Sequence, residues 1–185
     1  MFINISNLLA FKRVDLLIDA FADLRQSHDA RLLILGEGPT RSRAAEQIRR
    51  LGLRSCAQTI GWIDDPLQFA ARAWALVHSS DEDGFAQVLT EAMSVGCPVI
   101  TTDSLGGGPR FVTDNGRHGL LLPRGDRAKL AEAMGNMLQP DRRARYSELG
   151  RQRIEALSPT ASASALVDFL SGHLGLGTSL REGMN

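Results

Sequence analysis

Ser79-Ser80-Asp81-Glu82-Asp83-Gly84-Phe85-Ala86-Gln87-Val88-Leu89-Thr90-Glu91-Ala92-Met93 is the stretch around which the rest of the chain is read. It starts where an apolar run, Trp74-Ala75-Leu76-Val77-His78, ends. It turns at Gly84 and goes on as an amphipathic helix, followed by a short apolar strand, Pro98 to Thr102, and a loop, Gly106-Gly107-Gly108-Pro109-Arg110. Asp83 and Glu91 are eight residues apart. On a helix that spacing is a little over two turns, so an acid on the entering turn and one on the inner face can look toward one crevice. The turn also leaves free N–H groups at the helix start, where an anion is welcome. Two acids flanking an anion seat point to a ligand that carries hydroxyls and phosphate together.

Outward from this stretch, strands and helices alternate. Phe2-Ile3-Asn4-Ile5 reads as a strand, Ser6 to Arg13 as a loop, and Val14, Leu17, Ile18, Phe21 and Leu24 give the next helix one apolar face. Arg31 to Leu35 is apolar on both faces, as a buried parallel strand is, and Gly36-Glu37-Gly38-Pro39 stops it. Helices are expected over Thr40–Leu51 and Pro66–Ala73, and strands over Ala57–Ile60 and Gly119–Leu122. Further helices are expected over Arg127–Leu138, Asp141–Leu157 and Thr160–Leu174, with Gly175–Asn185 as a loose tail. The alternation predicts a doubly wound α/β fold, a mostly parallel Rossmann-like sheet with helices on both faces. Ligands of such folds sit at the carboxyl ends of the strands. The loops that matter are then Asn7–Arg13, Gly36–Pro39, Gly61–Ile63, Ser79–Phe85 and Asp103–Arg110.

Composition narrows the function. The 185 residues hold 21 basic and 21 acidic side chains, so no overall positive field favours nucleic acid. Cys56 and Cys97 lack metal spacing and read as reduced thiols. No stretch has the roughly 20 apolar residues of a membrane span. The first fifteen residues include Lys12, Arg13 and Asp15 and do not read as a signal peptide. A cytoplasmic protein is expected, with peripheral contact to the inner face of the membrane as an alternative.

Several motifs follow one another in a known order. They are Leu8-x-x-x-Lys12-Arg13-x-x-x-Leu17-Ile18-x-Ala20-Phe21, Leu33-Ile34-Leu35-Gly36-Glu37-Gly38-Pro39, Asp83-Gly84-Phe85 with Glu91-Ala92-Met93, Gly96-x-Pro98-Val99-Ile100, Gly108-Pro109-Arg110 and Asn115-Gly116-x-x-Gly119-Leu120-Leu121. In this order the chain resembles the C-terminal, donor-binding domain of a family 4 retaining glycosyltransferase, a two-Rossmann GT-B enzyme. The resemblance implies a nucleotide diphosphate sugar as donor, with Glu91 on the ribose hydroxyls and Asp83 on hydroxyls of the sugar. Lys12 and the amides opening the helix at Phe85 would hold the diphosphate. Asp83, Glu91 and Lys12 are the catalytic candidates. Asn7, Arg13, Gly36, Trp62, Ile63, Gly84, Phe85, Ala86, Gly107, Gly108 and Arg110 are the substrate-binding candidates. The physics agrees, because a carboxylate accepts from vicinal hydroxyls while cations and amides neutralise a departing diphosphate. Neither a metal nor any other cofactor is expected.

Three positions depart from the family's pattern. Asp83 stands where Glu is usual, which withdraws the carboxylate by roughly 1.5 Å. Asn7 stands five residues before Lys12, where Arg is common, and Phe111 stands where one subgroup has Glu. Plainer readings exist for the same residues: Asp83 and Glu91 as surface acids, Arg13, Arg110 and Lys12 as solvated cations, and Gly106–Gly108 as a simple turn. Trp62 is more often core than a stacking platform, although the backbone of Gly61–Ile63 is placed to meet a nucleobase. His78 reads as structural and Cys97 as a buried small hydrophobe. Asp81-Glu82-Asp83 mimics the metal-binding Asp-x-Asp string of another glycosyltransferase fold, and Gly36-Glu37-Gly38-Pro39 the start of a dinucleotide fingerprint. The first lacks supporting context and the second its third glycine.

A GT-B enzyme also has an N-terminal acceptor half, and this chain reads as the donor half alone, residues 1–174. It is expected to be inactive or weak by itself. The acceptor, a glycan or a lipid-linked sugar, is not legible. Leu166, Val167, Phe169, Leu170 and Leu174 form an apolar stripe suited to an acceptor-domain chain or a second copy. A nucleotide-sugar-binding subunit without activity of its own is the alternative function.

Overall fold

The structure is a computed structural model that describes residues 1–174, so the tail expected over residues 175–185 lies outside the described residues. Six parallel strands form one sheet: β1 (Phe2–Ile5), β2 (Leu32–Leu35), β3 (Ala57–Gly61), β4 (Ala75–His78), β5 (Val99–Thr102) and β6 (Leu120–Leu122), in the order β3-β2-β1-β4-β5-β6. Among the described residues the α-helices are α1 (Val14–Arg25), α2 (Arg41–Arg50), α3 (Leu67–Ala70), α4 (Gln87–Ser94), α5 (Gly108–Val112), α6 (Arg127–Asn136), α7 (Pro140–Ala156) and α8 (Pro159–Leu174). The expected doubly wound α/β fold is what forms. The sequence reading lacked α5, a five-residue helix where a loop was expected, and a 3₁₀ turn at Ala10–Lys12 inside the expected Ser6–Arg13 loop.

Strand periodicity builds two cores, one on each face of the sheet. Phe2, Leu32, Ile34, Ala75, Val77 and Ile100 face α1, α2 and α6. Ile3, Leu35, Leu76 and Val99 face α3, α4 and α5. Every residue of β4 and β5 is buried, as the central strands of a covered parallel sheet must be. Helix α7 reaches both cores: Tyr146 packs against the first and Ile154 against the second. Gly150 lets α7 lie close to α4, since a Cβ there would come 3.2 Å from Met93 Cγ.

Strand order reverses between β1 and β4, which pair as parallel neighbours through Phe2–Ala75 and Ile3–Leu76. Chain segments leaving these two strands go to opposite sides, opening a crevice at their carboxyl ends. Asn4 ties the two strands together, its Nδ2 donating to Val77 O at 2.8 Å.

Candidate functional site

Backbone hydrogen bonds zip the loops around the crevice. Leu8 N donates to Glu37 O at 2.8 Å, and Gly36 N to Gly61 O at 2.7 Å. These loops lie so close that a Cβ on Gly36 would fall 1.8 Å from Ser6 O, and one on Gly38 2.7 Å from Leu8 N. Both glycines are needed for backbone-to-backbone packing. After β4, the Ser79 hydroxyl reaches Lys12 O at 2.9 Å and Arg13 O at 3.0 Å, and Asp81 N donates to Phe11 O at 2.7 Å. The β4 loop thus grips the short 3₁₀ turn Ala10–Lys12 and sets the direction of Lys12.

Asp83 is the most heavily bonded side chain in the crevice. Its Oδ2 accepts from Lys12 Nζ at 2.7 Å and lies 3.0 Å from His78 Nε2, while Oδ1 accepts from Ala86 N at 2.6 Å and Phe85 N at 3.3 Å. His78 is buried and is held from behind by the Thr101 hydroxyl at 3.0 Å from Nδ1. The His78 hydrogen bond above all, then Lys12 and the Ala86 amide, outweigh burial and hold the Asp83 carboxyl well below the usual carboxylate range. Ala86, the N-cap of α4, sits in the left-handed region at φ 56°. The helix proper begins at Gln87, two residues later than expected.

The glycine loop serves this turn. Asp83 N donates to Leu105 O, and Leu105 N to Asp81 O, both at 2.8 Å. A Cβ on Gly108 would lie 2.5 Å from Phe85 N and Cα, whereas Gly107 faces open space. Of the three glycines, Gly106 lines the hollow beside Asp83.

Two hollows open at this end of the sheet. The first, of about 410 Å³, is lined by Ile5, Asn7, Gly36, Trp62, Ile63 and Glu91 among others. The second, of about 660 Å³ and more open, is lined by Phe11, Lys12, Glu82, Asp83, Gly84, Leu105 and Gly106. Lys12, Asp83, Gly84 and Gly106 are therefore brought together in one place, and Asn7, Gly36, Trp62, Ile63 and Glu91 in the other. The expectation that Asp83 and Glu91 share a single crevice is not met. Asp83 does lie on the turn entering the helix, but Lys12, His78 and the Ala86 amide hold its carboxylate on the side of the second hollow. Trp62 is 75% exposed, at the wall of the first hollow, so the core reading of this side chain is wrong.

Other candidates lie further off. Arg13 is paired with Asp15 and, at 3.0 Å, with Asp81, which hold its guanidinium more basic than usual. It lines a separate hollow with Thr40, Arg43 and Gln47. Arg110 forks onto Asp103. Phe85 is half exposed, stacks at a tilt on Phe111, and lines a hollow with Ile154 and Leu157. The two acids of the Asp-x-Asp string turn to different cations, Asp81 to Arg13 and Asp83 to Lys12. Sequence reasoning missed Ser79 and the site contact of His78, because neither a strand-end histidine nor a loop serine announces its partner. Cys97 is buried, which pushes its thiol up to about 12. No helix among the described residues is long and apolar enough to cross a membrane.

Comparison with known proteins adds four findings. A phosphatidyl-myo-inositol mannosyltransferase of Mycobacterium leprae is 33% identical over 163 residues, covering 84% of this chain and 42% of the relative. The N-acetylgalactosamine-N,N'-diacetylbacillosaminyl-diphospho-undecaprenol 4-alpha-N-acetylgalactosaminyltransferase of Campylobacter jejuni is 28% identical over 158 residues, covering 85% and 42%. The crystal structure of HepE from Anabaena in complex with UDP superposes with a TM-score of 0.74 at 23% identity, covering 92% of this chain and 48% of that one, which bears on the fold. The chain spans less than half of each. A family model, glycosyl transferases group 1, matches residues 1–153, and the chain belongs to that family.

Proposed function

We propose that this chain is the donor-binding domain of a retaining glycosyltransferase, holding a nucleotide diphosphate sugar across the two hollows at the strand-order reversal. The base and ribose occupy the first hollow against Ile63 and Trp62, with Glu91 on the ribose hydroxyls. The diphosphate bridges to Lys12 and the opening turn of α4, and the sugar enters the second hollow. The observation that carries the reading is the placement of Glu91 in one hollow and Lys12 in the other, on either side of the α4 N-terminus.

Such a site speeds transfer by stabilising the leaving diphosphate. Lys12 and fixed amides meet the negative charge as the glycosidic bond to phosphate lengthens, without reorganising. Neither a metal nor a covalent nucleophile on the protein is then required, and the acceptor attacks on the face the diphosphate leaves. The acceptor half is supplied by a segment or chain outside these residues. The exposed Leu166 and Phe169 of α8 support such a contact. UDP- and GDP-sugars are both candidate donors.

The test is thermal: UDP or GDP raises the melting temperature of the chain, and Glu91→Ala removes the shift. A chain whose melting is indifferent to both nucleotides would not be a donor domain. Turnover by the isolated 185 residues, set against binding alone, separates an enzyme from an inert binding subunit.

A further inference from the structure

A carboxylate offers about four acceptor positions. Asp83 has a donor on each: His78 Nε2 at 3.0 Å, Lys12 Nζ at 2.7 Å, Phe85 N at 3.3 Å and Ala86 N at 2.6 Å. In the free protein the carboxylate is therefore fully occupied. An ionised carboxylate can only accept, so His78 donates through Nε2–H, and its Nδ1 lies 3.0 Å from the Thr101 hydroxyl oxygen. The buried imidazole anchors the acid from beneath, on the strand pair β4–β5. Lys12 and the amides at the start of α4 are also the donors that the proposed diphosphate needs. Two anions cannot hold one set of donors at full strength.

We infer that Asp83 is the resident anion of the phosphate seat in the free protein. In the free protein its carboxylate holds Lys12 and the α4 turn, and an incoming diphosphate takes these donors over. This rests on the reading of the site as a donor pocket. The shortness of the side chain fits the role. Asp is a preferred capping residue because its carboxylate reaches a backbone N–H two or three positions on, whereas a Glu carboxylate sits roughly 1.5 Å further out. Asp83 is thus a positioning residue that competes with substrate and product alike. When the nucleoside diphosphate leaves, the Lys12–Asp83 pair closes behind it.

The experiment is calorimetric titration of the 185-residue chain with inorganic pyrophosphate and with UDP. Removing the carboxylate charge while keeping the side-chain shape frees Lys12, and after solvent and salt screening the gain is on the order of tenfold. Asp83→Asn is therefore expected to bind both ligands about tenfold more tightly than the parent, and Lys12→Met in the Asp83→Asn background is expected to cancel the gain. Equal or weaker pyrophosphate binding by a folded Asp83→Asn protein overturns the inference, as does an absence of pyrophosphate binding to both proteins. If Asp83→Asn does not fold, the parent protein decides. Saturating pyrophosphate is expected to shift the Asp83 carboxyl carbon and Ala86 amide resonances, and unmoved resonances overturn the inference. Failure of the donor-pocket reading looks different: pyrophosphate binds as expected, but UDP gains nothing over it and Glu91→Ala changes neither.

Discussion

Gly108→Ala sets one methyl group against the turn that carries Asp83. A Cβ at this position would lie 2.5 Å from Phe85 N and Cα and 2.6 Å from Phe85 C, all backbone atoms. Ordinary carbon contacts lie near 3.4 Å or beyond, so α5 and the Asp83–Ala86 turn have to part by about 0.9 Å. Neither side yields easily. Ala86 follows Phe85 at φ 56° with its amide on Asp83, and Gly108 N itself donates to Asp83 O at 3.3 Å. Overpacking of this kind costs about 1–3 kcal/mol. In a chain of this length each kcal/mol moves Tm by about 2–4 °C, so a loss of about 4–8 °C is expected at the middle of that range. The displaced turn also carries the donors for the diphosphate, and the UDP-dependent shift is expected to shrink with it. Gly107→Ala is the control: it meets no atom within 4 Å and pays only for a left-handed φ of 74°. That costs about 1 kcal/mol and leaves the UDP shift in place. The assay is a dye-monitored melt of both variants with and without UDP. A Gly108→Ala protein that melts within about a degree of the parent and keeps the whole UDP shift would refute the reasoning.

Lys12→Met leaves Asp83 with His78 and two amides but without its cation, and takes the one lysine from the second hollow. It is expected to abolish most of the UDP shift and to lower stability by about 1–2 kcal/mol in urea unfolding, since both side chains are largely shielded from water. The Asp83 carboxyl titrates below its unfolded range, so the stability it contributes is full above about pH 4 and is lost as pH falls toward the folded value. The stability gap between the parent and Asp83→Asn should accordingly be constant near neutrality and close in acid, as read by denaturant midpoints across that range. Ala86→Gly relieves a left-handed φ worth about 1–2 kcal/mol but loses a buried methyl worth about 0.8 kcal/mol and adds about 0.4–1 kcal/mol of unfolded-chain entropy, so stability should stay within about 1 kcal/mol of the parent by the same unfolding curves.

Much of the fold was open to reading because its signals are local. Runs such as Leu32–Leu35 and Val99–Thr102, apolar on both faces, occur where a strand is covered on both sides, and Val14, Leu17, Phe21 and Leu24 repeat at helical spacing. Helix α5 escaped because three glycines and a proline signal a turn. The segment is held instead by a left-handed Gly107 cap and by packing on Phe85. The motifs supply residues to both hollows, where the sequence reading expected one crevice. Their order did not reveal that Asp83 turns inward, because its partners are Lys12, distant by 71 residues, and His78, whose strand-end position does not announce a buried ring turned back on the loop that follows. Spacing along a helix says where side chains start, and what they meet is decided by the fold. Arg13 illustrates the same limit: its motif made it a substrate-binding candidate, and two neighbouring acids, Asp15 and Asp81, claim its guanidinium.

The most direct measurement is a crystal structure of the 185-residue chain grown with UDP. The expected density places the base beside Ile63 and Trp62, the ribose hydroxyls on Glu91, and the diphosphate at Lys12 and the start of α4, with the Asp83 carboxylate moved off Lys12. UDP bound in the separate hollow of Arg13, Thr40 and Arg43, or a Glu91 that touches no part of the ribose, would contradict the account.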